Sequence, residues 1–262
     1  MGGEHYLAVT RLMNWLFAKP ALWLLGALRI QAGNPEYPIP NHIAMEFVVL
    51  LFSGIFFLWL KGRISADRPG AAQQCMEMLL TNPLGLGVND MLNDMIGHDW
   101  QKFLPMVGGI GFFVLICNLV SLVPGFESPT AEKSVPLGCA IVVFLYYNWW
   151  GIRQHGAFRY SLQFLKMPIE IFSHLARLLS LTVRLFVNMF VSETLYAQFL
   201  ALTLALFIFL KAMNPLGYIA AAAPLVAPLA FIILHIFVGV VQAFVFTILP
   251  TIYLAGAVSE GH

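Results

Sequence analysis

The sequence predicts an all-α integral membrane protein with about five transmembrane helices, the last two very long, plus an amphipathic helix at the membrane surface. Three observations carry this. Of the 262 residues, 60% are hydrophobic and only 10% are charged, whereas soluble domains carry roughly 25% charged residues. The mean hydropathy is +0.80. The apolar residues also gather into blocks long enough to cross a bilayer, which takes about 20 residues of helix. Residues 1–262 read as a single membrane domain with little soluble mass. A net charge of +1 leaves no basic face for nucleic acid and no acidic tail.

Taken in order, residues 1–40 form an external or interfacial segment. Arg11, Lys19 and Arg29 argue against an ordinary span there, so residues 5–30 either lie on the surface or dip into it. The stretch MGGEHYLAVTRLMNWLFAKP is amphipathic rather than an uninterrupted apolar run, so no cleavable signal peptide is expected. The first clear span is residues 42–60, HIAMEFVVLLFSGIFFLWL, closed by Lys61 and Arg63. Residues 69–98 mix apolar groups with Glu77, Asp90 and Asp94 and contain Gly and Pro breaks, which reads as a surface-lying amphipathic segment. Residues 103–152 read as a helical hairpin, with spans at about 103–123 and 136–152.

Residues 168–258 form the last pair, divided at about Met213–Leu216. At about 1.5 Å per residue, either member as one helix exceeds the ~30 Å hydrocarbon core about twofold. These helices must tilt steeply, bend or leave the membrane, and Pro224 and Pro228 offer a bend. Basic residues set the orientation. Lys61, Arg63, Arg68 and Lys102 flank one loop, and Arg153, Arg159 and Lys166 another on the same side. That side is cytoplasmic by the positive-inside rule, so the N-terminus lies outside and the C-terminus inside. Cys75, Cys117 and Cys139 are scattered without a CxxC pair and read as helix-packing residues.

One residue resists this apolar background. Arg184 lies within LLSLTVRLFVNMFVSETLYAQFLALTLALFIFL. An ionised side chain at mid-bilayer costs about 2.5–3.5 kcal/mol on insertion scales, and such groups usually face a partner, a water-filled cavity or an ion path. At 100° per residue, Glu170, Arg177 and Arg184 share a stripe that His174 and Asn188 join. Asn188 is one turn from Arg184 and can orient it. Glu193, nine residues on, is about half a turn round and about 13 Å along the axis. In the last helix His235 and Gln242 are seven apart and share a face. A fixed cation favours the ionised form of an approaching carboxylate, and arginine does not give up its own proton. Arg184 can therefore block passage without becoming a carrier, with Glu193 and His235 relaying protons on one side and Glu170 and His174 on the other.

The blander readings remain beside these. Glu193 can serve as a helix–helix hydrogen-bond partner and His235 as a packing histidine. Arg177 suits a headgroup contact as well as a channel, and Glu46 suits the outer interface as well as a function. An independent transporter would show an internal repeat with broken helices in both halves, and none is visible. An intramembrane enzyme is not indicated: HExxH and GxSxG are absent, and so is the GxxxxGK[ST] nucleotide loop.

Four segments resemble one family. TVRLFVNMFVSE (182–193) is similar to the RLFGNMxxGE signature of subunit a of the F-type ATP synthase. HIFVGVVQAFVFTILPTIYLAGAV (235–258) resembles its final helix. FLKMPIEIFSHLARLLSLTVRL (164–185) matches the approach to the family arginine, and NLVSLVPGFESPTAE (118–132) its N-L-x-x-L-x-P…P-T-A loop. The likeness covers roughly residues 100–260 in the right order and spacing. Val187 and Ser192 replace glycines common in the signature, and Ser121 stands where some relatives are acidic.

The resemblance implies an ion-conducting stator subunit, not an enzyme by itself, packed beside a ring of c subunits with its long helices tilted against the ring. Peripheral-stalk b subunits, the soluble catalytic head at a distance and the lipid bilayer are its implied partners; no cofactor or metal is implied. Arg184 would face the ring carboxylates, with Asn188 and Gln242 as polar neighbours. Glu193, His235 and Ser192 would line an outer half-channel, and Glu170, Ser173 and His174 an inner one. A proton is the expected coupling ion because Glu193 and His235 titrate. A bacterial plasma membrane is the expected location.

Overall fold

The computed structural model describes residues 6–27, 29, 34, 36–65, 68–81, 87–97, 99–123, 126–156, 168–213 and 226–258, with side chains left aside at 168–175, 210–213 and 226–228. Among the described residues the secondary structure is entirely helical. Helix α1 spans Ala8–Ala27, α2 Asn41–Lys61, α3 Ala71–Leu80, α4 Val88–Ile96, α5 Leu104–Val120, α6 Ser134–His155, α7 Pro168–Met213 and α8 Val226–Val258. Short 3₁₀ turns at Trp100–Lys102 and Pro129–Ala131 precede α5 and α6. Among the described residues four helices are long and apolar enough to cross a membrane: α2, α6, and the Ala176–Phe209 and Leu229–Val258 parts of α7 and α8. Helix α5 is apolar but only 17 residues long. The chain is an all-α, multi-pass membrane protein.

Two layers of core hold the bundle. One gathers Leu92 of α4, Phe103 and Val107 at the start of α5, Val143 and Tyr147 of α6, and Leu254 and Ala257 of α8. The second joins Val114 of α5, Ala140 of α6, Leu181, Leu185 and Met189 of α7, and Ala243 and Phe246 of α8. The spacing of four in Leu181, Leu185 and Met189 keeps one stripe of α7 inward, which turns Val183, Arg184 and Val187 outward. Glycines let α5 and α8 approach closely. A Cβ at Gly239 would sit 3.2 Å from Asn118 Cβ, and one at Gly111 would collide with Thr247 Oγ1.

The expected single surface segment at 69–98 is two helices with different fates. Helix α3 has no buried residue. Helix α4 buries Met91 and Leu92, so its apolar face docks on the bundle rather than on lipid. The reason is its pattern: Val88, Leu92 and Ile96 recur at a spacing of four, and this stripe packs into the cluster of Phe103, Val107, Val143, Tyr147, Leu254 and Ala257. Helix α7 runs unbroken for 46 residues. Pro224 lies outside the described residues; Pro228 is in the first turn of α8, where a missing N–H costs little, and Pro250 lies inside α8.

The ends of the bundle sort clearly. His155 near the end of α6 reaches the main-chain oxygen of Ala257 near the end of α8 at 3.2 Å, so α6 and α8 finish at one end. At the other end, Asn41 at the start of α2 donates to Glu127 in the α5–α6 loop at 3.2 Å. That loop in turn meets the middle of α7 and the first third of α8, where the candidate site lies.

Candidate functional site

Arg184 lies on the exposed face of α7. Among the described residues it has no ion-pair or hydrogen-bond partner; the one ion pair there is Lys102–Asp99, at 2.7 Å on the surface. Exposed apolar residues flank it along α7, Val183, Val187 and Val191 among them, and the exposed side of α8 carries Ile233, Phe237 and Val241. Asn188, one turn on, does not hydrogen-bond Arg184. Its Nδ2 donates to Gln242 Oε1 at 3.0 Å, tying α7 to α8. Gln242 is 2% exposed, and its Nε2 is a buried donor with no partner among the described residues. Asn188, Gln242 and Ser192 line one groove of about 320 Å³ between α7 and α8.

His235 is buried on α8, as is Gln242 two turns on, so the two share a face. Its Nδ1 lies 2.7 Å from Ser192 Oγ. Its Nε2 lies 3.1 Å from the main-chain oxygen of Asn118 and 3.0 Å from Ser121 Oγ. A carbonyl oxygen only accepts, so when Nε2 binds Asn118 it carries the hydrogen, and Nδ1 then accepts from the Ser192 hydroxyl. With the other tautomer, Nδ1 donates to Ser192 and Nε2 accepts from Ser121. Both ring nitrogens thus have hydroxyl neighbours on opposite sides of a buried imidazole.

Glu193 occupies a different setting. It turns away from the Arg184 face toward the α5–α6 loop, where the Ser128 N–H donates to its Oε1 at 3.2 Å. It opens onto a cavity of about 890 Å³ that also holds Asn41, His42, Glu127 and Glu132. Glu193 and His235 are not bonded to each other. They are joined by buried groups: Ser128 Oγ is 2.7 Å from Thr130 Oγ1, Thr130 donates to Asn118 Oδ1 at 2.7 Å, and Asn118 Nδ2 donates to Gly239 O at 3.1 Å.

The structure therefore brings together Asn188 with Gln242 and Ser192 with His235, and sets Arg184 and Glu193 on separate faces. Arg177 lies 5.1 Å over the Tyr253 ring, a cation–π contact. Glu170, Ser173 and His174 fall within α7, but their side chains lie outside the described residues. Ser128, Asn41, His42 and Glu127 were not singled out from the sequence; Asn118 and Thr130 stand in the quoted loop motif without an assigned role, and Ser121 was noted only as a departure. Polar residues near loop ends are ordinary in sequence; only their partners mark them. Among the described residues no group of three or more His, Cys, Asp or Glu could hold a metal ion.

Comparison with known proteins bears on this arrangement. The family model described as ATP synthase A chain matches residues 43–255. The ATP synthase subunit a of Koribacter versatilis is 35% identical over 271 residues, covering 98% of this chain and 99% of that protein. That of Solibacter usitatus is 38% identical over 234 residues, covering 86% and 90%. That of Helicobacter pylori is 35% identical over 237 residues, covering 85% and 94%. With a family match across most of the chain and relatives aligned over nearly their whole length, the chain belongs to the ATP synthase A chain family, subunit a of the F-type ATP synthase.

Proposed function

We propose that this chain is the proton-translocating stator of a rotary ATP synthase, forming two aqueous half-channels at the surface of a c-subunit ring with Arg184 between them. One observation carries the reading: an arginine without an ion-pair partner among the described residues, exposed amid valines and leucines in the middle of an apolar helix. A charge so placed calls for an anion from another chain, and a ring of carboxylate-bearing helices supplies one at each step. The exposed apolar sides of α7 and α8 suit packing against such helices.

In this mechanism a proton enters from the cavity around Glu193 and passes into the α7–α8 groove. Asn188, Ser192 and Gln242 line that groove, and His235 adjoins it through its contact with Ser192. The proton neutralises a ring carboxylate, which can then turn into lipid. On its return the carboxylate meets Arg184, which favours its ionised form, so the proton leaves through the inner path, to which Glu170, Ser173 and His174 belong. The free Nε2 of Gln242 is a donor for water or for an arriving carboxylate. Each elementary charge crossing 100 mV supplies about 2.3 kcal/mol, so several protons are needed per ATP made in the soluble head, to which b subunits tether the stator.

The proposed orientation puts the Glu193 cavity outside and the α6 and α8 ends in the cytoplasm of a bacterial cell. Basic residues support it: Lys61, Arg63, Lys102 and Arg153 all lie at the latter end. Arg63 and Arg153 stack on Trp59 and Trp150 at 4.8 and 5.5 Å, as expected at an interface. The test is ATP-driven proton pumping in inverted vesicles carrying the whole complex with Arg184→Ala. We expect pumping to be lost while the complex stays assembled; normal pumping would overturn the mechanism.

A further inference from the structure

Helix α1 is built inside out. The face it turns to the protein is polar: Thr10 is fully buried and Asn14 is 3% exposed. Asn14 Nδ2 donates to the main-chain oxygens of Thr10 and Ile39, each at 2.9 Å, and its Oδ1 accepts the Ile39 N–H at 2.9 Å. The outward face is aromatic and aliphatic. Trp15 and Trp23 are 81% and 74% exposed, and Leu12, Leu16 and Leu24 are each more than half exposed. Trp15, Lys19 and Trp23 follow at spacings of four, which places a cation between two indoles on one stripe.

Spanning is excluded by where the helix ends are tied. The Leu7 N–H donates to Asn41 Oδ1 at 3.4 Å, so α1 and α2 begin at the same end of the bundle. At that end Asn34 Nδ2 donates to Tyr6 Oη at 3.3 Å, and Tyr37 stacks on Tyr6 with ring centroids 4.3 Å apart. Ala27, at the far end of α1, is joined to Asn34 by seven residue steps, at most about 25 Å of extended chain. If α1 crossed the bilayer, that short stretch, with Arg29 in it, would have to recross as non-helical backbone, which lipid does not tolerate.

We infer that α1 lies flat in the outer leaflet's interface, its Trp15–Lys19–Trp23 stripe embedded among lipid headgroups and upper acyl chains. The lipid-facing wall of α2 continues directly from it: Phe17 packs 6.4 Å from Phe47, and Leu50, Leu51 and Ile55 follow outward. The tryptophans agree. Trp59, Trp100, Trp149 and Trp150 belong to the opposite end of the bundle, leaving Trp15 and Trp23 to form the belt at this end. Lys19 lies level with the phosphates, where an ammonium on a long stem is at home. The collar stands beside the mouth of the Glu193 cavity, which Tyr6 helps to line. The inference rests on α2 spanning the membrane and, for the choice of leaflet, on the proposed orientation, and not on the proton path.

The test is spin-label depth measurement on the whole complex in liposomes. The native cysteines are replaced and one nitroxide at a time is placed at residue 12, 16, 20 or 24. Relative collisions with oxygen and with a water-soluble nickel chelate give the depth of each. We expect all four at one shallow depth, about 5–10 Å below the headgroups. A depth that changes steadily by about 1.5 Å per residue would mean a span. Contact with neither reagent would mean that another subunit covers the helix, and chelate contact as in bulk water would mean a water-exposed helix. Each of these three results overturns the inference, and none of them bears on proton pumping through Arg184.

Discussion

Asn118→Leu tests how the buried polar layer between Glu193 and His235 is held. Asn118 is fully buried at the end of α5, and its side chain makes two hydrogen bonds, to Gly239 O and from Thr130 Oγ1. A naive sum, with two bonds lost and two buried groups orphaned, approaches 4–5 kcal/mol. The hydroxyl geometry argues for less. Ser128 Oγ donates to Cys117 O at 2.9 Å and also lies 2.7 Å from Thr130 Oγ1. Two hydroxyl protons thus serve three contacts. With leucine at 118, Thr130 can donate to Ser128 and Ser128 to Cys117, so every hydroxyl proton keeps an acceptor. Gly239 O retains its own helical bond. The net cost is then about 1–2 kcal/mol, one hydrogen bond plus some crowding at Gly239.

Thr130→Val should cost more, about 2–3 kcal/mol, because Asn118 Oδ1 becomes a buried acceptor with no donor. In the double variant the threonine substitution should cost clearly less than it does alone. Equilibrium unfolding of the chain in mixed micelles, read as a double-mutant cycle, gives all three numbers. If Asn118→Leu costs over about 3 kcal/mol and exceeds Thr130→Val, the hydroxyl pair cannot rearrange and the reasoning fails.

Two further predictions follow from contacts between helices. Gly111→Ala should destabilise the chain by about 1–3 kcal/mol through the collision with Thr247 Oγ1; Thr247→Ala in the same chain should recover most of it in the same unfolding assay, and simple additivity would refute a direct clash. Ser192→Ala removes the hydroxyl beside His235 Nδ1, and a lost hydrogen bond of about 0.5–1.5 kcal/mol corresponds to about a 2- to 12-fold slower pumping rate if the bond orients the relay. Ser192→Thr should restore it, whereas equal rates for the alanine and threonine variants would remove Ser192 from the path.

Much of the fold is legible because its causes are local. A run of apolar side chains makes the helix, its length shows whether it can span, and basic residues show where it stops. Helix α2 covers Asn41–Lys61 where the hydropathy block is 42–60, since both follow the same side chains. The division of 69–98 into α3 and α4 was hidden. An amphipathic stripe reads alike whether lipid or protein covers it, and Leu92 is buried because the start of α5, the middle of α6 and the end of α8 pack with it. In the site, the periodicity of α7 and α8 put His235 and Gln242 on one face. It also suggested that Asn188 would orient Arg184, but the Asn188 amide is spent on Gln242 in the next helix.

What the sequence by itself determined is what one helix decides alone: the all-helical membrane class, the great length of α7, the cost of Arg184 in apolar surroundings, and the motif that marks the family. Only the tertiary structure decided which polar groups meet. Ser121 and His235 are 114 positions apart, Asn118 and Gly239 are 121, and Ser128 and Glu193 are 65. The physical reason is that helical periodicity sets a side chain's direction about its own axis. The rotation and depth at which another helix faces it come from packing, here from the closeness that Gly111 and Gly239 allow between α5 and α8.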